Sequence, residues 1–119
     1  GGVTTMELPD TNNVYGIVDC GGRIQEFAAR LRQFRQAEVH VKVSQFDGAE
    51  SVYMDTPGAS FHAYKHLDDE FLFNGAVAGP AETVCLYAKE LRDVLGRGGF
   101  HARFEVYDPD SKILIEELA

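Results

Sequence analysis

His62, Tyr64 and His66, with Asp68 close behind, are the first residues in this chain whose types and spacing suggest chemistry, since imidazoles beside a carboxylate are common metal ligands. On a strand, alternate residues lie roughly 6.5–7 Å apart, so His62 and His66 would stand about 13 Å apart. They could share an ion only if His40 or Glu105 reached in from another strand, and no cysteine stands nearby. The expectation is surface histidines, with no metal or other cofactor. Cys20 is the best-placed nucleophile. It closes an apolar run just before Gly21-Gly22 and a helical stretch, where helix N-terminal amides can lower a thiol pKa and cradle an oxyanion. A nucleophile also needs a base in hydrogen-bond reach, and local spacing brings no histidine to Cys20. A small buried core residue is expected there.

The glycine clusters do not make phosphate loops. Gly21-Gly22 lacks the further Gly or Lys of the nucleotide-binding patterns, and Gly96-Arg97-Gly98-Gly99 follows a helix instead of opening one. Asp108-Pro109-Asp110 places acids at alternate positions without the longer series and bidentate terminal acid of a calcium loop, and reads as a hairpin turn.

The elements that would position these residues follow from periodicity. Residues 1–13 carry Pro9, Asp10, Asn12 and Asn13 with no apolar pattern and read as a flexible tail, Met6 being the expected native start. Residues 14–119 read as one domain. Val14 to Cys20 is strand-like, and Ile24, Phe27, Ala28, Leu31 and Phe34 form a helical stripe. Val39, Val41 and Val43 alternate with Glu38, His40, Lys42 and Ser44, as in a half-buried antiparallel strand. Strands are also expected at Val52 to Met54, Phe61 to Leu67, Phe71 to Ala78, Ala102 to Val106 and Ile113 to Leu118. A second helix is predicted over residues 80–96, with Pro80 at its start, Glu82 in its first turn and Gly96 or Gly98 as its left-handed cap. Leu86 falls on that helix's acidic side, among Glu82, Glu90 and Asp93, a modest hint of a partner.

Residues 14–55 and 71–117 can be written as the same unit: strand, glycine break, helix, then two strands around an acidic turn. The fold expected is α+β, a two-layer sandwich of a mainly antiparallel sheet with two helices on one face, built from duplicated βαββ units.

If Val39, Val41, Val43, Phe104 and Val106 point to the helices, period-two alternation sends His40, Lys42, Arg103, Glu105 and Tyr107 to the opposite face. The same rule adds Tyr15, Tyr53, His62, Tyr64 and His66. The predicted binding residues are therefore Tyr15, His40, Tyr53, His62, Tyr64, His66, Arg103, Glu105 and Tyr107. Tyrosine offers rigid contact area with a polar handle, which suits recognition.

Nineteen acids against eleven bases give a formal charge of −8, which repels nucleic-acid phosphates. The charge is uneven. Arg23 to Arg35 holds four arginines and one glutamate, whereas Glu105 to Glu117 holds five acids and Lys112. No stretch resembles a secretory signal or a membrane-spanning apolar run, and the two cysteines sit on different elements, so a reduced cytoplasmic protein with no membrane partner is expected.

The ending from Tyr107-Asp108-Pro109-Asp110-Ser111 to Glu116 resembles, locally, the last hairpin of the vicinal oxygen chelate family, where an Asp-Pro-Asp-Gly turn precedes a metal-binding Glu. That family is also built of two strand-helix-strand repeats. Ser111 stands in place of the Gly and Glu116 is one position late, so no site residue is carried over.

The function expected is a small acidic module acting by binding and not by catalysis, through protein–protein or inhibitor-like contacts of the Tyr/His-bearing face. Its partner would be another protein or a second copy, as a homodimer. The alternative is a small-molecule-binding or metal-assisted enzyme with a pocket between the two βαββ halves. Convergence of Tyr64, His40 and Glu105 into a pocket, as opposed to a flat face, separates the two readings.

Overall fold

Val14, Gly16 and Val18 turn one way and Tyr15, Ile17 and Asp19 the other, and this alternation forms the first strand, β1 (Val14–Asp19). The computed structural model describes residues 11–67, 70–108 and 114–118. Along the chain β1 is followed by α1 (Ile24–Leu31), β2 (Glu38–Val43), β3 (Glu50–Thr56), β4 (Ala59–Lys65), β5 (Glu70–Val77), α2 (Ala81–Arg97), β6 (His101–Tyr107) and β7 (Leu114–Leu118). The class is α+β. The seven strands form one sheet in the order β2-β3-β4-β5-β1-β6-β7, and every neighbouring pair is antiparallel.

Each helix exists because its stripe has somewhere to go. α1 buries Ile24, Phe27, Ala28 and Leu31, and α2 buries Val84, Cys85, Tyr87, Ala88, Leu91 and Leu95. Phe27 meets the Phe73 ring of β5 edge-on at 5.6 Å, and Tyr87 stacks at 5.8 Å on Phe61 of β4. The helices also touch each other: Arg30 Nε donates to Val94 O at 2.8 Å, and Phe34 packs on Tyr87 at 5.0 Å. All of these strand residues lie on one sheet face, together with Val14, Val18, Val52, Met54, Ala63, Ala102, Phe104 and Val106. No helix among the described residues is long and apolar enough to cross a membrane.

Four sequence expectations need correction. The stripe of α1 runs past the helix: Phe34 is buried, but in a turn where its N–H bonds Leu31 O, after which Arg35 and Gln36 adopt φ of 50° and 55° and reverse the chain into β2. The left-handed cap of α2 is Gly99 (φ 84°), not Gly96 or Gly98. Asn13, expected in the tail, is buried and hydrogen-bonded to β5. β4 ends at Lys65, so His66 belongs to the following turn. The two look-alike halves share their order along the chain but interleave in space, since β1 lies between β5 and β6 while three strands separate it from β2. They are not side-by-side units. Residues 1–10, Asp68 and all but Asp108 of the Asp-Pro-Asp-Ser turn lie outside the described residues.

Candidate functional site

The sheet face away from the helices carries a register row that no single strand reveals. His40 stands opposite Tyr53, Tyr53 opposite His62, His62 opposite Asn74, Asn74 opposite Tyr15, Tyr15 opposite Glu105, and Glu105 opposite Glu117. A second row runs Lys42, Ser51, Tyr64, Leu72, Ile17, Arg103. The structure thus places Tyr15, His40, Tyr53, His62, Tyr64, Arg103, Glu105 and Tyr107 on this open face. His66 does not join them, because strand alternation stops at Lys65. Four tyrosines occupy the face, and Tyr87 alone of the five is in the core.

Side-chain contacts order the β2–β4 end. The Tyr53 and His62 rings stack at 4.2 Å and 6°, Lys42 Nζ sits 4.7 Å over Tyr53, and Tyr64 leans on His62 at 5.2 Å. This stack seals His62 Nε2 from solvent with no hydrogen-bond partner among the described residues. Burial first, and the Lys42 cation second, hold the His62 pKa below its ordinary value, so it is neutral at neutral pH. At the other end Tyr15 meets Tyr107 edge-on at 5.4 Å, and its hydroxyl donates to Asn12 O at 3.0 Å. Tyr107 OH donates to a Glu105 carboxylate oxygen, and that bond raises the phenol's pKa. Asn74 holds the centre: its Oδ1 accepts from Gly16 N at 3.3 Å, and its Nδ2 reaches Tyr64 OH at 3.5 Å.

His40 and Glu105 lie five strand steps apart in the same row, about 24 Å at the usual strand spacing. With Tyr64 they make a face and do not converge. A separate hollow of about 530 Å³, open on one side, lies where β5, β1, β6 and β7 meet and is lined by Tyr15, Ile17, Leu72, Asn74, Arg103, Glu105 and Glu117. Ile17, Leu72, Asn74, Glu117 and His101, which is also on this face, were not found from the sequence. Leu72 and Asn74 lie on a strand too apolar, and Glu117 on one too short, for alternation to assign a side, although Asn74 between Phe73 and Gly75 is a polar interruption that could have marked it. Ile17 and His101 follow by the same alternation from Tyr15 and Arg103 on their own strands.

The register also sets acids directly opposite one another: Glu38 faces Asp55, Asp19 faces Glu70, and Glu105 faces Glu117, all on the open face. The ion pairs among the described residues are Arg23–Glu26, Arg35–Glu90, Lys89–Glu116 and Arg92–Asp93, and none includes any of these six carboxylates. The face's strand positions therefore hold six carboxylates against Lys42 and Arg103.

No three His, Cys, Asp or Glu side chains among the described residues are grouped to hold a metal ion. His40 and His62 are kept two strands apart by Tyr53. Cys20 is fully buried, and burial, reinforced by Asp19 and opposed by Arg23, pushes its thiol up to about 12. Cys85 is raised to about 11 by burial and by Glu116. Both thiols should therefore resist a disulfide reagent at neutral pH in the native state and react at once in denaturant, and the melting temperature should not change with reductant. Rapid native labelling of Cys20 would show that thiol to be exposed and activated.

Comparison with protein-family models, with curated proteins and with solved structures finds no match.

Proposed function

We propose that this protein is a binding module that recognises a protein partner through its open sheet face, in a two-layer arrangement where the helices supply stability and the other face supplies contacts. The observation that carries this reading is the row from His40 through Tyr53, His62, Asn74 and Tyr15 to Glu105, a band of aromatic and polar side chains across six strands with no helix or strand of the described residues over it. Rigid aromatics ordered by stacking lose little entropy on binding, so they favour recognition. Catalysis draws less support, because the thiols are held protonated and the cross-strand neighbours of His40 and His62 are Tyr53 and Asn74, neither an acid. The second reading, a small-molecule site, is favoured by the hollow beside Tyr15, whose size is in the usual range for ligand pockets.

The test is the double variant Tyr64→Ser/Tyr107→Ser. Its stability should stay within about 1 kcal/mol of the parent, as expected for an exposed (Tyr64) and a half-buried (Tyr107) strand position outside the core. Its partner affinity should fall by a factor of about 30 or more, as for tyrosines buried at an interface. Partners retained from the native lysate by the parent and by a helix-side Leu86→Ser variant should be lost from the double variant. Retention unchanged by the tyrosine substitutions, or lost with Leu86→Ser, would move the working surface to the helices.

A further inference from the structure

Resting on that reading of the open face, we propose that its occupant is a basic segment of another protein, and that the hollow between β5, β1, β6 and β7 takes one arginine or lysine side chain from that segment. The floor of the hollow is half-buried Ile17 and Leu72 with the Tyr15 ring beside them, a surface that fits the aliphatic stem of a long cationic side chain. Its wall is Glu105 opposite Glu117, two exposed carboxylates that no cation of the described residues pairs with. Like charges directly opposite on antiparallel strands repel, and a cation entering between them turns that repulsion into attraction. Tyr15 adds an aromatic face for the same charge.

The rest of the face agrees in sign. Asp19 with Glu70 and Glu38 with Asp55 place further acid pairs toward the corners that no Lys or Arg of the described residues pairs with, while Arg103 and Lys42 are the only Lys or Arg at its strand positions among the described residues. Arg103 borders the hollow and would repel a second cation there, which limits the pocket to one basic side chain and leaves the remaining bases for the other acid pairs. A second copy of this chain is a poor occupant, because face-to-face pairing would set six carboxylates against six. Nucleic acid and anionic membrane are excluded by the same sign. Acid pairs of this kind lower the stability of the free protein, a cost expected where a surface is shaped for a partner.

The experiment uses a short fluorescent peptide alternating arginine and leucine, its glutamate–leucine counterpart, and two charge-matched variants. Glu105→Gln/Glu117→Gln removes the pair beside the hollow, and Glu26→Gln/Glu82→Gln removes the same charge from the helices. The arginine peptide should bind the parent, lose about tenfold in affinity with the first variant and keep its affinity with the second, and weaken with added salt. The glutamate peptide should not bind. The Glu105→Gln/Glu117→Gln variant should melt no lower than the parent, since it relieves repulsion, so its loss of binding is not misfolding. Equal loss in the two variants, equal binding of the two peptides, or no binding of the arginine peptide overturns the proposal. If it is overturned while Tyr64→Ser/Tyr107→Ser still loses the native partner, the open face stands as the working surface and only the cationic occupant is wrong. If the arginine peptide binds but chemical-shift changes map to the helices, both fail.

Discussion

Alanine at Gly75 should destabilise the fold by about 3 kcal/mol or more, and alanine at Gly16 by a similar amount, the high end of overpacking costs. A Cβ at Gly75 would lie 2.4 Å from Cγ of Phe61, its partner on β4. At Gly16 it would lie 2.5 Å from the Phe104 ring and 2.9 Å from the Phe73 carbonyl oxygen. Neither ring can step aside. Phe61 is wedged against Phe73 at 5.0 Å and Tyr87 at 5.8 Å, and Phe104 is buried beside Phe73. The glycines are needed here for space and not for a left-handed backbone, as each lies under an aromatic ring that fills the room its missing side chain leaves. At roughly 3–6 °C per kcal/mol for a chain of this size, each variant should lose about 10 °C or more of melting temperature. Gly96 supplies the contrast. Nothing lies within 4 Å of a Cβ built there, and it sits inside α2, so Gly96→Ala should gain about 0.5–1 kcal/mol. Thermal or denaturant unfolding of the three variants checks the prediction, and a Gly75→Ala protein as stable as the parent would mean that Phe61 does not lie over β5.

Asn13→Ala should cost about 2–4 kcal/mol, from two broken buried hydrogen bonds. Asn13 Nδ2 donates to Val77 O and Asn13 Oδ1 accepts from Val77 N, both at 2.9 Å, while its own backbone bonds Gly75 O and Tyr107 N. One side chain thereby stands in for a further residue pair just ahead of the start of β1, and satisfies the final N–H and C=O of β5. Alanine would leave both buried and unpaired. Asn13→Asp makes a sharper test. An ionised carboxylate there could accept from Val77 N but could not donate to Val77 O, so burial should raise its pKa above the unfolded value. The protonated form, able to do both, is favoured by folding, so stability should be highest below the unfolded carboxyl pKa and fall as pH rises through the raised native pKa. Unfolding measured across the acid range should show this recovery for Asn13→Asp and none for Asn13→Ala.

What the chain determined by itself was local. Strand and helix order were legible because Val39-Val41-Val43 and Ala102-Phe104-Val106 repeat every two residues while Val84, Ala88, Leu91 and Leu95 repeat as a helix does, and that periodicity also separated the tyrosine and histidine side chains from the core. Prediction stopped where a residue's role depends on a distant partner. Phe34 is buried by Tyr87 beyond the end of its helix, Asn13 is ordered only by Val77, and His66 leaves the face because its strand stops pairing at Lys65. Tertiary structure alone inserted β1 between β5 and β6, and with that step it made the His40-to-Glu117 row, set Asp19 against Glu70, and formed the hollow over Ile17 and Leu72. The physical reason is that the side a residue faces follows from its own strand's pleat, whereas its cross-strand neighbour follows from register and strand order, which long-range hydrogen bonds and core packing select.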